Sequence, residues 1–444
     1  MNVILAEGLS GLSGTVMALI ASLALGVTSG LLGTYVVLRR ESLFGDMLSH
    51  AVFPGVVGGF FVSGWMARMG WVESEKNPLV ILSCALVAGV LGALVVTVLG
   101  YTTRLKQDAR LGVVLSVFFA AGIAMFGFGQ PAGVNGFLYG QTGAIDATDL
   151  VLVLGAAAIV VVSILIFHRP LLVVSFDDGF AHNLGYRVMG LTLMFSVLLT
   201  MAVVVAMQAV GVVLVSAMLI TPAATAHLMT DRFPRMMMLS VLFTVGAGVI
   251  GTLISGTKEG LATGPVIALC ATAIFVTAYL FAPRYGLVAR LWHDRIQRRR
   301  IQRENILKDL YRVLEREGFP AEGASVSAFA AERRLDPGSA ERELKMLEGA
   351  GDLIRGNGGE KLVLSEEGWG HASRVVRNHR LWELYLTNEA EYQADHVHDD
   401  AEIVEHLLGE EAIKRLEEEL GFPETDPHGS PIPQPSSTPP QPTS

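Results

Sequence analysis

The chain has 444 residues, of which 51% are hydrophobic and only 17% charged, and its mean hydropathy of +0.47 excludes an ordinary water-soluble protein of this length. The two cysteines, Cys84 and Cys270, both sit in apolar runs, which excludes a disulfide framework and a thiolate metal site. The net charge of −9 averages a basic membrane fringe with an acidic C-terminal part and excludes no class of partner.

Apolar runs long enough to cross about 30 Å of hydrocarbon as helices lie near 14–38, 51–66 with the residues before it, 79–100, 111–128, 148–167, 187–207, 209–228, 236–255 and 264–282. These predict a mainly α, polytopic membrane protein of about nine spans. Eight to ten remain open, because polar residues interrupt the second run and 208–222 can be a broken or re-entrant helix. The start of the chain lacks a basic region and a small-residue cleavage site, so the first run is expected to be retained as a span. Basic connections at Arg39-Arg40, 104–110, His168-Arg169, 232–235 and 284–300 alternate with loops poor in Arg and Lys, which puts the C-terminus in the cytoplasm. The expected organisation is a membrane permease domain over 1–285, a basic linker at 286–303, a winged-helix-like domain at 304–365, a metal-binding and dimerisation-like domain at 366–433, and a Pro/Ser/Thr-rich disordered tail at 434–444.

Ionisable residues inside a span are costly and point to a pathway. Asp46 and His50 are four apart, hence on one helix face, and offer an oxygen and a nitrogen ligand to a single divalent metal. Two ligands are too few, but a symmetric dimer would bring two Asp and two His together on its axis. Equally open from spacing is that Asp46 caps its helix while His50 hydrogen-bonds a neighbouring span. His227 and Asp231 repeat the spacing near the end of the seventh run, where a snorkelling pair is the stronger reading than an exit site. Lys258 and Glu259 fall in an outer loop.

Val36-Val37-Leu38-Arg39-Arg40, Gly45-Asp46 and Ser49-His50-Ala51-Val52-Phe53-Pro54-Gly55 closely resemble the ABC permeases for zinc, manganese and iron. Supporting stretches are Leu219-Ile220-Thr221-Pro222-Ala223-Ala224 and Ser175-Phe176-Asp177-Asp178-Gly179-Phe180-Ala181 with Leu184-Gly185. Over residues 10–285 the resemblance implies a metal-translocating permease in the bacterial cytoplasmic membrane, with Asp46 and His50 on the path. It also implies a coupling loop at Phe176, Asp177, Ala181 and Gly185 that docks a separate ABC ATPase subunit. The chain carries no phosphate-binding glycine loop with its Lys and Ser/Thr, so it is not expected to be an enzyme or to hold a permanent cofactor. An extracytoplasmic metal-binding protein is the implied donor, and a second permease, identical or related, the implied dimer partner.

Six of the eleven histidines lie from His371 onward. His398, Glu402, Glu405 and His406 form one helical stripe, and His379 with Glu383 an i, i+4 pair on the helix before. Together they bring three imidazoles and three carboxylates, a donor set for manganese, iron or zinc. Across 303–433, His379-Arg380-Leu381-Trp382-Glu383, the stretch from Val397 to His406, and Pro427-His428-Gly429-Ser430-Pro431-Ile432-Pro433 resemble the diphtheria toxin repressor family. That likeness implies a sensor in which these six residues bind a regulatory divalent metal. Asn305 stands where the family usually has an Asp or Met ligand and Lys308 where it has an acidic residue, and the presumed recognition helix at 338–349 carries Glu341, Glu343 and Glu348 against Arg342 and Lys345, so DNA binding is left open. The reading is a divalent-metal permease with a cytoplasmic metal-sensing domain; the alternative is a membrane-anchored, metal-dependent transcription regulator.

Overall fold

The computed structural model describes residues 13–72, 74–129, 147–257, 261–388 and 410–434. The chain divides into two units at Arg290 and Leu291. The first is all helical: α1 (Gly14–Leu38), α2 (Phe44–Arg68), α3 (Pro78–Thr102), α4 (Gln107–Met125), α5 (Ala147–Phe176), α6 (Asp178–Asn183), α7 (Val188–Val210), α8 (Val212–Met229), α9 (Phe233–Ser255) and α10 (Thr263–Phe281). Among the described residues eight helices are long and apolar enough to cross a membrane. The run expected at 209–228 forms the 18-residue α8, separated from α7 by a break at Gly211, whose φ of 92° and ψ of 157° only glycine adopts readily. The second expected run, 51–66 with the residues before it, is the 25-residue α2.

Glycine sets how closely these helices meet. A Cβ at Gly30 would lie 2.6 Å from the Val241 Cα, and one at Gly33 2.1 Å from the Leu219 carbonyl oxygen. Helix α1 thus presses backbone to backbone against α9 and α8. Polar side chains fasten the same seam, with Ser240 Oγ donating to the Gly30 carbonyl at 2.9 Å and Ser22 and Thr252 hydroxyls 2.8 Å apart. Gly33→Val should force α1 from α8 and cost about 1–3 kcal/mol, read as a lower midpoint of thermal aggregation for the detergent-solubilised protein. In α5 the helix is kinked at Phe167 (φ −99°, ψ 15°), with Pro170 just beyond. There Tyr35 OH and His168 Nδ1 are hydrogen-bonded at 2.8 Å.

The second unit begins on α11 (Leu287–Arg316), followed by β1 (Ala324–Ser325), α12 (Val326–Glu332), α13 (Pro337–Gly349), β2 (Leu353–Gly356), β3 (Lys361–Leu364), α14 (Glu366–Asn388) and α15 (Glu410–Glu419). The strands form an antiparallel sheet in the order β1-β3-β2, so three helices and a two-stranded wing stand where the winged-helix pattern was expected. The basic stretch 286–303 is no separate linker in conformation: it is helical and continuous with the segment expected to begin at 304. Asp336 caps α13 by accepting from Ser339 N at 3.0 Å. The core is Ile306, Leu310, Phe329, Leu344 and Leu347, closed by Tyr311, Phe319 and Trp369 with ring centroids 5.3 to 5.5 Å apart.

Asp352 ties this core to the helix that enters it. Its fully buried carboxylate receives Arg303 Nε and NH2 at 2.5 and 2.6 Å and lies 2.9 Å from His371 Nδ1. Burial alone would raise its pKa; the Arg303 hydrogen bonds, with His371, outweigh burial and hold it below the usual carboxylate range. A carboxyl held low in the folded state contributes stability that is complete above the unfolded value of about 4 and is lost as pH falls through the folded one. Asp352→Asn should therefore destabilise this unit at pH 7 by about 2 kcal/mol, with the difference from wild type in thermal unfolding shrinking as pH approaches 3.

Candidate functional site

Asp46 stands in the first turn of α2 and His50 one turn on, both half-buried. Asp46 makes no capping bond, since the N-cap of α2 is Leu43 and no side chain caps it. The His50 ring packs edge-on against Phe119 of α4, centroids 4.8 Å apart, and its buried Nδ1 has no hydrogen-bond partner among the described residues. Among the described residues neither structural alternative, a cap or an inter-span hydrogen bond, is present. A buried ring nitrogen without a partner costs free energy unless something occupies it. Helix α2 packs against α3, α4 and α8, with Met47, Leu48, Ala51 and Phe53 fully buried, so the pair is mounted on a rigid element.

The loop between α5 and α7 is built around α6. Asp177 caps it by accepting from Phe180 N at 2.9 Å, Ala181 is fully buried beneath it, and Gly185 ends it at a φ of 82°. The buried Ala181 and the left-handed Gly185 hold the turn, while Phe176, Phe180 and Leu184 stand 67, 57 and 54% exposed. Phe180 and Leu184 are four apart on this turn and Phe176 precedes it at the end of α5, so three exposed apolar residues border it. Phe180 and Leu184 were not singled out in the sequence, and their i, i+4 spacing was the signal for them.

At the second four-residue spacing, His227 is exposed and Asp231 is engaged by Arg284 and by Tyr285 OH at 2.9 Å. Asp231 fastens the start of the C-terminal segment to the α8–α9 turn. Lys258 and Glu259 lie outside the described residues.

In the second unit, α11 and α14 line a cavity of about 580 Å³ that contains His379, Glu383, Lys308, Arg312, Asp426 and His428. His379 and Glu383 are 1 and 3% exposed, and His379 Nε2 lies 3.1 Å from Glu383 Oε1. The Arg312 guanidinium is also 3.1 Å from Nε2. An imidazole and a carboxylate converging in a polar cavity suit a divalent cation. His398, Glu402, Glu405 and His406 lie outside the described residues, and among those described no three ligating side chains meet. On the winged helix, Glu341 and Glu348 of α13 pair with Arg355 of β2, and Glu343 with Arg333. Arg355 of the wing is spent on the helix it flanks.

The profile described as the ABC 3 transport family matches residues 13–282, and that described as the iron dependent repressor, metal binding and dimerisation domain, matches 365–434. The chain is 34% identical over 383 residues to the manganese transport system membrane protein MntC of Bacillus subtilis (strain 168), covering 85% of each. It is also 34% identical over 282 residues to the zinc transport system membrane protein TroC of Treponema pallidum (strain Nichols), covering 62% of this chain and 91% of that one. Among solved structures, PsaBC from Streptococcus pneumoniae in complex with Fab superposes with a TM-score of 0.53 at 33% identity, covering 64% of this chain and 98% of that chain.

Proposed function

The chain belongs to the ABC 3 transport family, and from that premise we propose that it is the permease subunit of an ATP-driven importer of manganese, zinc or iron, with a C-terminal metal-sensing domain. It is a multi-pass membrane protein. The observation that carries the reading is the Asp46–His50 pair on α2, uncapped and with a buried ring nitrogen lacking a partner, within a chain matched from 13 to 282 by the family. The metal is the cargo. Asp46 supplies a carboxylate and His50 an imidazole nitrogen to an ion that passes, and a partner permease, a second copy or a relative, contributes the remaining ligands. The chain itself is not an enzyme; a separate ABC ATPase docks on Phe176, Phe180 and Leu184, and the motion of that subunit reaches the spans through α6. An extracytoplasmic metal-binding protein delivers the ion. The chain lies in the bacterial cytoplasmic membrane with its C-terminal unit in the cytoplasm, as the distribution of arginine supports.

The second unit is read as a sensor. His379 and Glu383, with His398, Glu402, Glu405 and His406, would hold a regulatory divalent cation, whose charge would offset the carboxylates gathered there. By linkage, a cation that favours one conformation of the unit shifts the transporter toward it. Co-expression with the ATPase and binding protein of the same organism tests the whole reading: radiolabelled manganese or zinc should accumulate only with all three and only with an ATPase able to hydrolyse ATP. Accumulation without the ATPase would overturn it.

A further inference from the structure

Residues 291–300 are exposed without interruption although they lie inside the 30-residue α11. Among them are residues that soluble proteins keep covered: Leu291 is 57% exposed, Trp292 68% and Ile296 53%. Val288, Trp292 and Ile296 follow one another every four residues, with Leu291 beside them, so they make one face of the helix. Further along that face come Arg295 and Arg299, flanked by Arg298, with Asp294 the one acidic residue between 287 and 300. Arg295, Arg298 and Arg299 have no ion-pair partner among the described residues. The face therefore changes along its length from apolar to cationic.

Its position limits what can cover it. Leu287 is six residues past Phe281, the end of α10, so the helix starts within about 20 Å of the end of that span at full extension. The tether is tighter than that, because Arg284 and Tyr285 both hold Asp231, two residues before α9 begins. The apolar end of the face is thus leashed beside two span ends, and the arginines come one to two turns later. Apolar side chains with an indole, followed by guanidinium groups, match the order of acyl boundary and phosphate in a bilayer surface.

We propose that residues 287–300 form an interfacial helix that binds anionic phospholipid headgroups of the leaflet facing the C-terminal unit. The apolar face enters the acyl boundary and Arg295, Arg298 and Arg299 take the phosphates. The proposal rests on the reading of the first unit as a membrane domain. It makes the stretch between permease and sensor a lipid-held element rather than a free linker, so that the anionic lipid content of the membrane sets how firmly the sensor is held near the transporter.

The test uses the full chain in a Cys84→Ser, Cys270→Ser background, with a nitroxide attached at Ile296→Cys, Gln297→Cys or Leu165→Cys. The protein is placed in nanodiscs of phosphatidylcholine or of phosphatidylcholine with phosphatidylglycerol. Leu165, 70% exposed on α5, reports on the membrane reading itself and should be accessible to oxygen and shielded from a nickel chelate in both lipids. With phosphatidylglycerol, position 296 should favour oxygen and position 297, on the opposite face, the nickel chelate. The ratio at 296 should be about threefold higher than in phosphatidylcholine alone, and Arg295→Gln with Arg298→Gln and Arg299→Gln should return it to the phosphatidylcholine value. If Leu165 passes while 296 stays open to the nickel chelate in both lipids, the helix is solvated and the proposal is overturned. If 296 is shielded from both reagents in both lipids, protein covers it, either a second copy or the ATPase, and the proposal is equally overturned. If Leu165 itself meets the nickel chelate, the membrane reading fails first.

Discussion

Replacing His50 by alanine should reduce manganese or zinc uptake at least about a hundredfold, as expected when a ligand itself, rather than its supporting shell, is removed. The imidazole is half of what this chain brings to the ion, and in a symmetric dimer each ion would lose two nitrogens at once. The substitution should leave the fold alone. Nδ1 of the ring has no hydrogen bond among the described residues to lose, and the ring touches Phe119 edge-on at the margin of a core formed by Met47, Leu48, Ala51 and Phe53. Phe119→Leu, which disturbs the same packing and no ligand, should keep most of the uptake. Asp46→Asn keeps the shape and removes the charge, and should fall nearly as far as His50→Ala, because an amide oxygen is a poor substitute for a carboxylate at a divalent ion. Basal ATP hydrolysis by the assembled complex should persist in all three. Uptake at the wild-type rate in His50→Ala, with normal amounts of protein in the membrane, would remove this pair from the path.

Asp46 and His50 stand one turn apart on α2, as their spacing predicts, although spacing alone left a cap and an inter-span hydrogen bond equally open; the turn around α6 was legible because its cap, its small buried residue and its terminal glycine lie within nine residues of one another. What the sequence concealed lay in contacts between distant segments. The break at Gly211 depends on a single residue's backbone angles, which hydropathy averaged over a window does not report. The stretch 286–303 was read as a linker for its basic charge, whereas it is helical from Leu287 and its apolar residues Leu291, Trp292 and Ile296 face outward. Asp231 looked like half of a second Asp–His pair until Arg284 and Tyr285, more than fifty residues later, were found to hold it. Similarly, the acidic recognition helix was visible in the sequence. That Arg333 and Arg355 are consumed in neutralising it was not, and this pairing removes cations that a nucleic acid phosphate would need.

The second large effect is expected in the sensor cavity, from a residue no local pattern marks. His379 Nε2 lies 3.1 Å from both the Arg312 guanidinium and Glu383 Oε1. A guanidinium only donates and a carboxylate only accepts, so Nε2 serves one of them at a time; facing Arg312 it must present its lone pair. That lone pair is what a cation held between His379 and Glu383 would use. Arg312 therefore competes for it, as a charge already tethered at the site. Arg312→Gln should tighten manganese binding to the purified full chain by roughly tenfold, about 1.4 kcal/mol, while His379→Ala should weaken it by at least as much. The manganese-induced rise in thermal midpoint and titration calorimetry would both report the change. In cells the two substitutions should move the shutdown of uptake in opposite directions, Arg312→Gln to lower cytosolic manganese and His379→Ala to higher. If both weaken binding alike, Arg312 supports the site rather than competing for it; if neither alters binding or shutdown, His379 and Glu383 are a buried hydrogen-bonded pair and the sensor's ligands lie elsewhere.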